Sequence, residues 1–506
     1  MIMELLVTTA YAAFFVFLIG RVRFFEVEGI ARKWFQLIFI LKILAGVALW
    51  YIYTFYYTDR ISADIYKYFD SSEVIYNSLF THPIDYFKMI TGLGDDTGFR
   101  ERYFLKVHNW YRQYSSNMFN DNQTMIRYNA VLRIFSFGFY HVHSVFTCFL
   151  SLVGLTAIYK SFFPLLKDKK KELFCVVFLM PSVLFWGSGV LKESLLFFTL
   201  GIFIFSFKRI SEKKYSPFLF ISFFLSLGMM LILKMYVIIA LMPGILAIML
   251  FTLSTKIKNS FLLFLSCLLI FLFSAAYVNR IIPAIDPVRT LSSKQNNFIE
   301  LGRGNTLLIH GDDYLLFSDG NRNCMEPAGD TLKYRIKAGC PCTMWKLPSR
   351  NIKTEGLTVS DTSVYEVVHD FTRSNSYFEI TRLKSEPINF LKTMPEAFLN
   401  TLMRPFPNGV NSPIMLVSAL ENMIVPSCIL LLLLFRKRNP ENMHWVWFCL
   451  TFVVVLFLII GWTTPVAGAI VRYKTPALPF LFIALLFLYD KEKLLIRFRF
   501  KKKISE

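Results

Sequence analysis

The chain has 506 residues, of which 55% are hydrophobic and 17% aromatic, with 54 Phe, while only 18% are charged. Soluble globular proteins carry about 25% charged residues, so an ordinary soluble enzyme is excluded; a disordered chain, which would lack these apolar residues, is excluded too. The net charge of +20 would by itself suit a nucleic-acid partner, but its distribution argues otherwise. Twenty-five of the 55 Lys and Arg fall in six short segments, 21–33, 160–172, 208–214, 256–258, 436–443 and 491–503. Their alternation with apolar and polar stretches is the charge bias of cytoplasmic loops, so no nucleic-acid partner is expected.

The N-terminus begins MIMELL, with no basic start and no small-residue cleavage site before Arg21. Residues 4–20 therefore read as a retained helix rather than a cleaved signal. Hydropathy predicts about eleven spans, near 4–20, 35–56, 141–160, 173–187, 193–207, 218–233, 235–254, 260–278, 413–435, 444–462 and 475–489. With the N-terminus outside, every basic cluster then lies on the cytoplasmic side, together with the C-terminus. The expected fold is an all-α polytopic membrane protein with a mixed α/β extracytoplasmic loop domain. Residues 1–56 hold the first two spans and 57–140 a first outer loop with interfacial helices. A six-helix block over 141–278 is followed by the loop domain, 279–412. The remaining 413–506 supply three spans and a basic tail.

In the first outer loop, TDRISADIYKYFDSSEVIYNSLF has apolar residues at helical spacing (Ile61, Ile65, Phe69, Ile75, Leu79), and QTMIRYNAVLRIFSFGFY reads as a second interfacial helix. In the second, TLLIHGDDYLLFS alternates as strands do, and 376–403 reads as helical. Both loops are nearly neutral, with 8 basic and 9 acidic residues over 58–127 and 16 and 14 over 279–412. Five cysteines (148, 175, 267, 428, 449) fall in spans and read as small apolar side chains. Cys324 is expected to pair with Cys340 or Cys342. His310 and His369 could join them at a metal, but the spacing matches no zinc pattern.

Asp64 and Asp70, in ADIYKYFD just after the second span, are placed to act as general bases on a bound hydroxyl. Six residues apart, they do not share a helical face; Asp70 and Glu73 could. PSVLFWGSGVLKES puts Lys192 and Glu193 where apolar helices resume, and such charges must pair or face a polar cavity. GWTTPVAGAIVRYKTPALPF sets Arg472 and Lys474 on the outer side against the inside bias, and a guanidinium holds phosphate oxygens bidentately. Arg404 and Glu421 flank the ninth span, where Glu421 is expected to face the interior and pair with a cation. No phosphate-binding G-x-x-x-x-G-K-[ST], zinc H-E-x-x-H, G-x-S-x-G or EF-hand loop is present, which disfavours an ATPase, a zinc protease and a serine hydrolase.

On these residues the layout resembles the GT-C class of membrane glycosyltransferases. RYKTPALPF is similar to the Arg-x-x-x-Pro-x-x-Pro ending of many such chains, and SGVLKES resembles a stretch of uncharacterised bacterial envelope polysaccharide proteins. The resemblance implies a transferase of the bacterial cytoplasmic membrane. It would take a sugar from a polyprenyl-phosphate lipid donor and pass it to an envelope glycan or protein acceptor on the outer face. Asp64, or Asp70 as second choice, would be the catalytic carboxylate that deprotonates the acceptor hydroxyl. Arg472 would hold the phosphate, with Lys192, Glu193, Lys474 and Arg404 binding substrate. No metal ligand is assigned, although a divalent cation is a conceivable cofactor; the first loop has no Asp-x-Asp, its nearest equivalent being Asp95 and Asp96. A polysaccharide polymerase or ligase and a lipid-linked glycan flippase are the alternative readings.

Overall fold

A computed structural model of the protein describes residues 2–57, 60, 63–93, 97–107, 109–110, 120–254, 256–310, 313–318, 323–328, 333–346, 353–358, 364–371, 373–407, 413–437 and 440–493. The chain is mostly helical, and nine helices among the described residues are long and apolar enough to cross a membrane. It opens with α1 (Ile2–Arg21) and α2 (Arg32–Tyr51), the latter continuing through a wide π turn to Tyr56. The first loop folds as α3 (Asp64–Thr81), α4 (Pro83–Thr91), α5 (Thr97–Arg102) and α6 (Asp121–Ser136). Asp95 and Asp96 lie outside the described residues. Then come α7 (Tyr140–Phe162), the short α8 (Lys170–Phe174) and α9 (Pro181–Trp186), α10 (Lys192–Ser211), α11 (Pro217–Leu253) and α12 (Ser260–Tyr277).

The helix count differs from the expected eleven at two places, each for a physical reason. The predicted span 173–187 is interrupted: a π turn at Cys175–Leu179 and then Pro181, which cannot donate a backbone hydrogen bond, separate α8 from α9. The predicted pair 218–233 and 235–254 forms one run of 37 residues, α11, broken by a non-helical Lys234 (φ −152°, ψ 75°). A straight helix of that length would measure about 55 Å, far beyond the ~30 Å apolar layer of a bilayer. The break resolves the mismatch and places a lysine there.

The loop domain starts with α13 (Pro287–Arg303) and continues as a seven-stranded sheet. Its strands are β1 (Asn305–His310), β2 (Asp313–Ser318), β3 (Met325–Pro327), β4 (Lys333–Ile336), β5 (Pro341–Lys346), β6 (Lys353–Thr358) and β7 (Val364–Phe371), in the order β3-β4-β7-β1-β2-β5-β6. The pairings are antiparallel, β1 and β2 forming a hairpin in which His310 faces Asp313 in register. Cys324 is disulfide-bonded to Cys340, and Cys342 stays a buried thiol. The helical expectation over 376–403 holds only from Pro387, where α14 (Pro387–Met403) begins. Residues before it are irregular, and Tyr377 forms an isolated antiparallel bridge with Val466.

The chain ends with α15 (Pro413–Leu434), α16 (Met443–Thr463), α17 (Ala467–Lys474) and α18 (Leu478–Leu488). Glycines let the backbones that carry the site touch. A Cβ on Gly154 of α7 would meet the Phe197 carbonyl of α10 at 2.0 Å, and one on Gly201 would meet the Gly154 carbonyl at 1.9 Å; such small-residue contacts are how membrane helices pack closely. The loop domain is docked rather than tethered: the Gln295 amide donates to the Trp462 carbonyl at 2.8 Å and accepts from the Leu383 N–H at 2.7 Å. Among the span cysteines, Cys148, Cys267 and Cys449 are buried as expected, whereas Cys428 is half-buried and Cys175 exposed.

Candidate functional site

Three helices begin at one place. Asp64 is the first residue of α3, Asp121 the first of α6, and Lys192 and Glu193 the first two of α10. Carboxylates at these positions meet the positive ends of helix dipoles. Asn120 caps α6, its side-chain oxygen accepting from the Asn122 N–H at 3.1 Å. α10 is aimed by the loop before it, where Gly189 sits at φ +74° and packs against Gly46 of α2. Lys42 of α2, fully buried, donates to the Gly187 carbonyl at 2.6 Å and pins that loop from below. The break in α11 supplies Lys234, and α17, which follows the Tyr377–Val466 bridge, supplies Arg472.

These elements assemble a charge network. Arg472 pairs through Nη1 with Asp64 and through Nη2 with Glu193 at 2.8 Å. Lys67 Nζ lies 2.7 Å from the other Asp64 oxygen, which also accepts from the Tyr68 hydroxyl at 3.3 Å. Beside them, Lys192 Nζ lies 2.9 Å from Asp121 and donates to the Asn122 side-chain oxygen at 2.7 Å. Lys234 reaches the same Asp121 at 3.7 Å and stacks 4.9 Å above the Tyr473 ring. The cluster so defined holds four cations, Lys67, Lys192, Lys234 and Arg472, against three carboxylates, Asp64, Asp121 and Glu193. Among the described residues of the cluster, one positive charge is in surplus.

Exposure orders the cluster. The Glu193 side chain is 1% accessible and the Asp64 side chain 24%, so Glu193 forms the floor and the Asp64–Lys67 edge the opening. Burial by itself would raise the Asp64 carboxyl, but the charges of Lys67, Arg472 and Lys192 outweigh it and hold Asp64 well below the usual carboxylate range. Asp64 is thus ionised and poorly basic while Arg472 stays on it. An oxyanion that drew Arg472 away would raise its basicity in part, Lys67 remaining on the other oxygen. As a ligand set for a divalent cation the cluster fits badly, because its carboxylates are already engaged by cations and its surplus is positive. Among the described residues no group of three or more His, Cys, Asp or Glu is arranged to hold a metal ion.

Of the residues singled out from the sequence, Asp64, Lys192, Glu193 and Arg472 come together here. Five do not join them. Asp70 lies on the exposed side of α3 in a two-point ion pair with Arg60, at 2.8 and 2.7 Å, because six residues of helix turn it away from Asp64. Its neighbour Glu73 pairs instead with Arg133, at 3.6 Å. Lys474 follows Arg472 by two residues and so projects elsewhere; it is buried in a cage of the Thr401, Leu402 and Arg404 carbonyls and the Asn422 side chain, at 2.7 to 3.4 Å. There it donates to carbonyls at the end of α14. Arg404 lines a separate cavity with Ala467. Glu421 faces the interior as expected, but a backbone N–H, that of Ser182 at 2.7 Å, takes the place of the expected cation.

Asp121, Lys67 and Tyr68 were not legible as site residues. Asn120–Asp121 ahead of an amphipathic run does carry a helix-start signature, and Lys67 stands three residues after Asp64. Neither pattern says that its residue meets α10 or α17. No protein-family model, no curated protein and no solved structure matches this chain.

Proposed function

We propose that the protein is an integral membrane glycosyltransferase of GT-C-like type. It would move a sugar from a polyprenyl-phosphate-linked donor to an envelope glycan or protein acceptor on the outer face of a bacterial cytoplasmic membrane, with its C-terminus inside. The observation that carries the reading is the Arg472 guanidinium held between Asp64 and Glu193 in a cluster with one cation in surplus. Such a cluster suits a phosphate, and the carboxylate that phosphate binding would release is the one nearest the opening.

In this reaction the donor phosphate enters the cluster and takes hydrogen bonds from Arg472, with Lys67 and Lys192 near. The released Asp64 carboxylate accepts the proton of the acceptor hydroxyl. That oxygen attacks the anomeric carbon; the bond from this carbon to the phosphate oxygen breaks, and its electron pair goes to the lipid phosphate. Arg472 and Lys192 neutralise the charge that develops there, stabilisation that acts in the transition state. Glu193 keeps Arg472 oriented from below.

The test is Asp64→Asn in a chain verified to fold, with transfer measured from a radiolabelled polyprenyl-phosphate sugar. Loss of about 10²–10⁴-fold is expected for a general base, whereas transfer at the parent rate would remove Asp64 from the reaction. A polymerase or ligase would use the same site with a longer acceptor. A flippase is the second reading, favoured by the break at Lys234 and the interruption between α8 and α9, since transporters bind at discontinuous helices. Lipid-glycan movement across proteoliposomes without any new glycosidic bond would select it.

A further inference from the structure

A cavity of about 520 Å³ opens where the irregular segment before α14, the end of α14 and the start of α17 meet. It is lined by Tyr377, Phe378, Arg404, Phe406, Met415 and Ala467, among others. The Arg404 guanidinium lies 3.8 Å from the centre of the Phe378 ring and 5.1 Å from that of Phe406. Two aromatic rings lie against it. Its Nε donates to the Asn400 side chain at 2.9 Å, and no ion pair joins it to a carboxylate among the described residues. Burial pulls Arg404 below its ordinary value, opposed by the charge of Glu396, as expected of a cation without a counter-charge in contact.

A guanidinium resting on aromatic rings with its Nε engaged keeps its Nη groups for a two-oxygen anion. Aromatic walls around a polar anchor give an apolar surface on which a sugar face can lie. The position is suggestive as well: Ala467, which lines the cavity, and Arg472, which holds Asp64, are five residues apart on α17, or about 7.5 Å along the axis.

We propose that this cavity is a binding site for an acidic saccharide, Arg404 holding the sugar's carboxylate or phosphate while Tyr377, Phe378 and Phe406 wall its ring. Resting on the transferase reading, it would seat the acceptor, with the next sugar of the chain pointing along α17 toward Asp64. It would give the protein a preference for charged over neutral glycans.

The experiment measures direct binding to the detergent-solubilised full chain by calorimetry, using cellobiouronic acid, neutral cellobiose and inorganic phosphate. The two disaccharides differ only in one carboxylate. Cellobiouronic acid is expected to bind at least about tenfold more tightly than either other probe, and Arg404→Gln to reduce it to the cellobiose level. Equal affinity of the two disaccharides on the unsubstituted chain overturns the proposal whether or not Arg404→Gln folds. Phosphate binding as tight as that of the acid saccharide also overturns it, because the site would then read charge without sugar. Asp64→Asn separates the two readings: it should abolish transfer and leave saccharide binding intact. An unsubstituted chain that binds the acid but transfers nothing refutes the transferase and keeps the cavity.

Discussion

Removing the guanidinium that joins Asp64 to Glu193 is the most informative perturbation of the cluster. Arg472→Met keeps most of the side-chain volume and deletes the charge. The Arg472 side chain is 11% accessible and that of Glu193 only 1%, so water replaces little of what is lost. Neither Glu193 oxygen has another hydrogen-bond partner, and breaking such a buried pair from one side costs about 3–5 kcal/mol. Asp64 fares better, since Lys67 remains 2.7 Å away. The structure therefore assigns most of the damage to Glu193. Adding Glu193→Gln removes the stranded charge and should restore much of the stability, a coupling of about 2–3 kcal/mol between the two sites. The assay is thermal unfolding of the parent, both single variants and the double variant in detergent, followed by tryptophan fluorescence. Arg472→Met should melt lowest and the double variant well above it. If the two single effects simply add, the charges are not coupled and the account of the cluster is wrong.

Three further outcomes follow from the same geometry. Asp64 is depressed in the folded chain, so its stabilisation is complete above the unfolded value of about 3.9 and is lost as the pH falls through the lower folded value. The melting temperature should thus fall less steeply below about pH 4 in Asp64→Asn than in the parent, and superimposable pH profiles would contradict the ion pairs drawn here. Lys474→Met leaves three carbonyls and the Asn422 side chain without their shared donor, which should cost about 1–3 kcal/mol. The affinity of the folded fraction for a polyprenyl phosphate should stay at the parent value, and a selective loss of that affinity would return Lys474 to the site. Replacing Cys324 and Cys340 by Ser opens a loop with a sequence separation of 16, worth about 3 kcal/mol in chain entropy. Limited proteolysis should then cut the sheet domain faster while the helices stay protected; unchanged protection would mean that the crosslink is structurally idle.

Much of the architecture is readable along the chain, because a bilayer imposes its thickness on any segment that crosses it. Long apolar runs are sufficient to mark a mostly helical polytopic membrane protein, and the polar stretch between two of them holds the sheet. The TLLIHGDDYLLFS alternation locates the β1–β2 hairpin, since side chains on a strand face opposite ways. Asp64 and Arg472 stand out for a related reason: a charge beside apolar sequence is expensive unless something compensates it. What no local pattern contains is the partner. Asp64 and Arg472 are 408 positions apart, and Asp70 and Lys474 look equally eligible by composition. Helical phase separates Asp64 from Asp70, and a cage of carbonyls at the end of α14 occupies Lys474. Asp121 and Lys234 enter the cluster only because α6 starts, and α11 breaks, beside the first turn of α10. Such convergence depends on which helix backbones pack, through contacts such as Gly154 against Gly201. Hydropathy and spacing describe each segment against its solvent; the meeting of three helix starts with one arginine is a property of segments packed against one another.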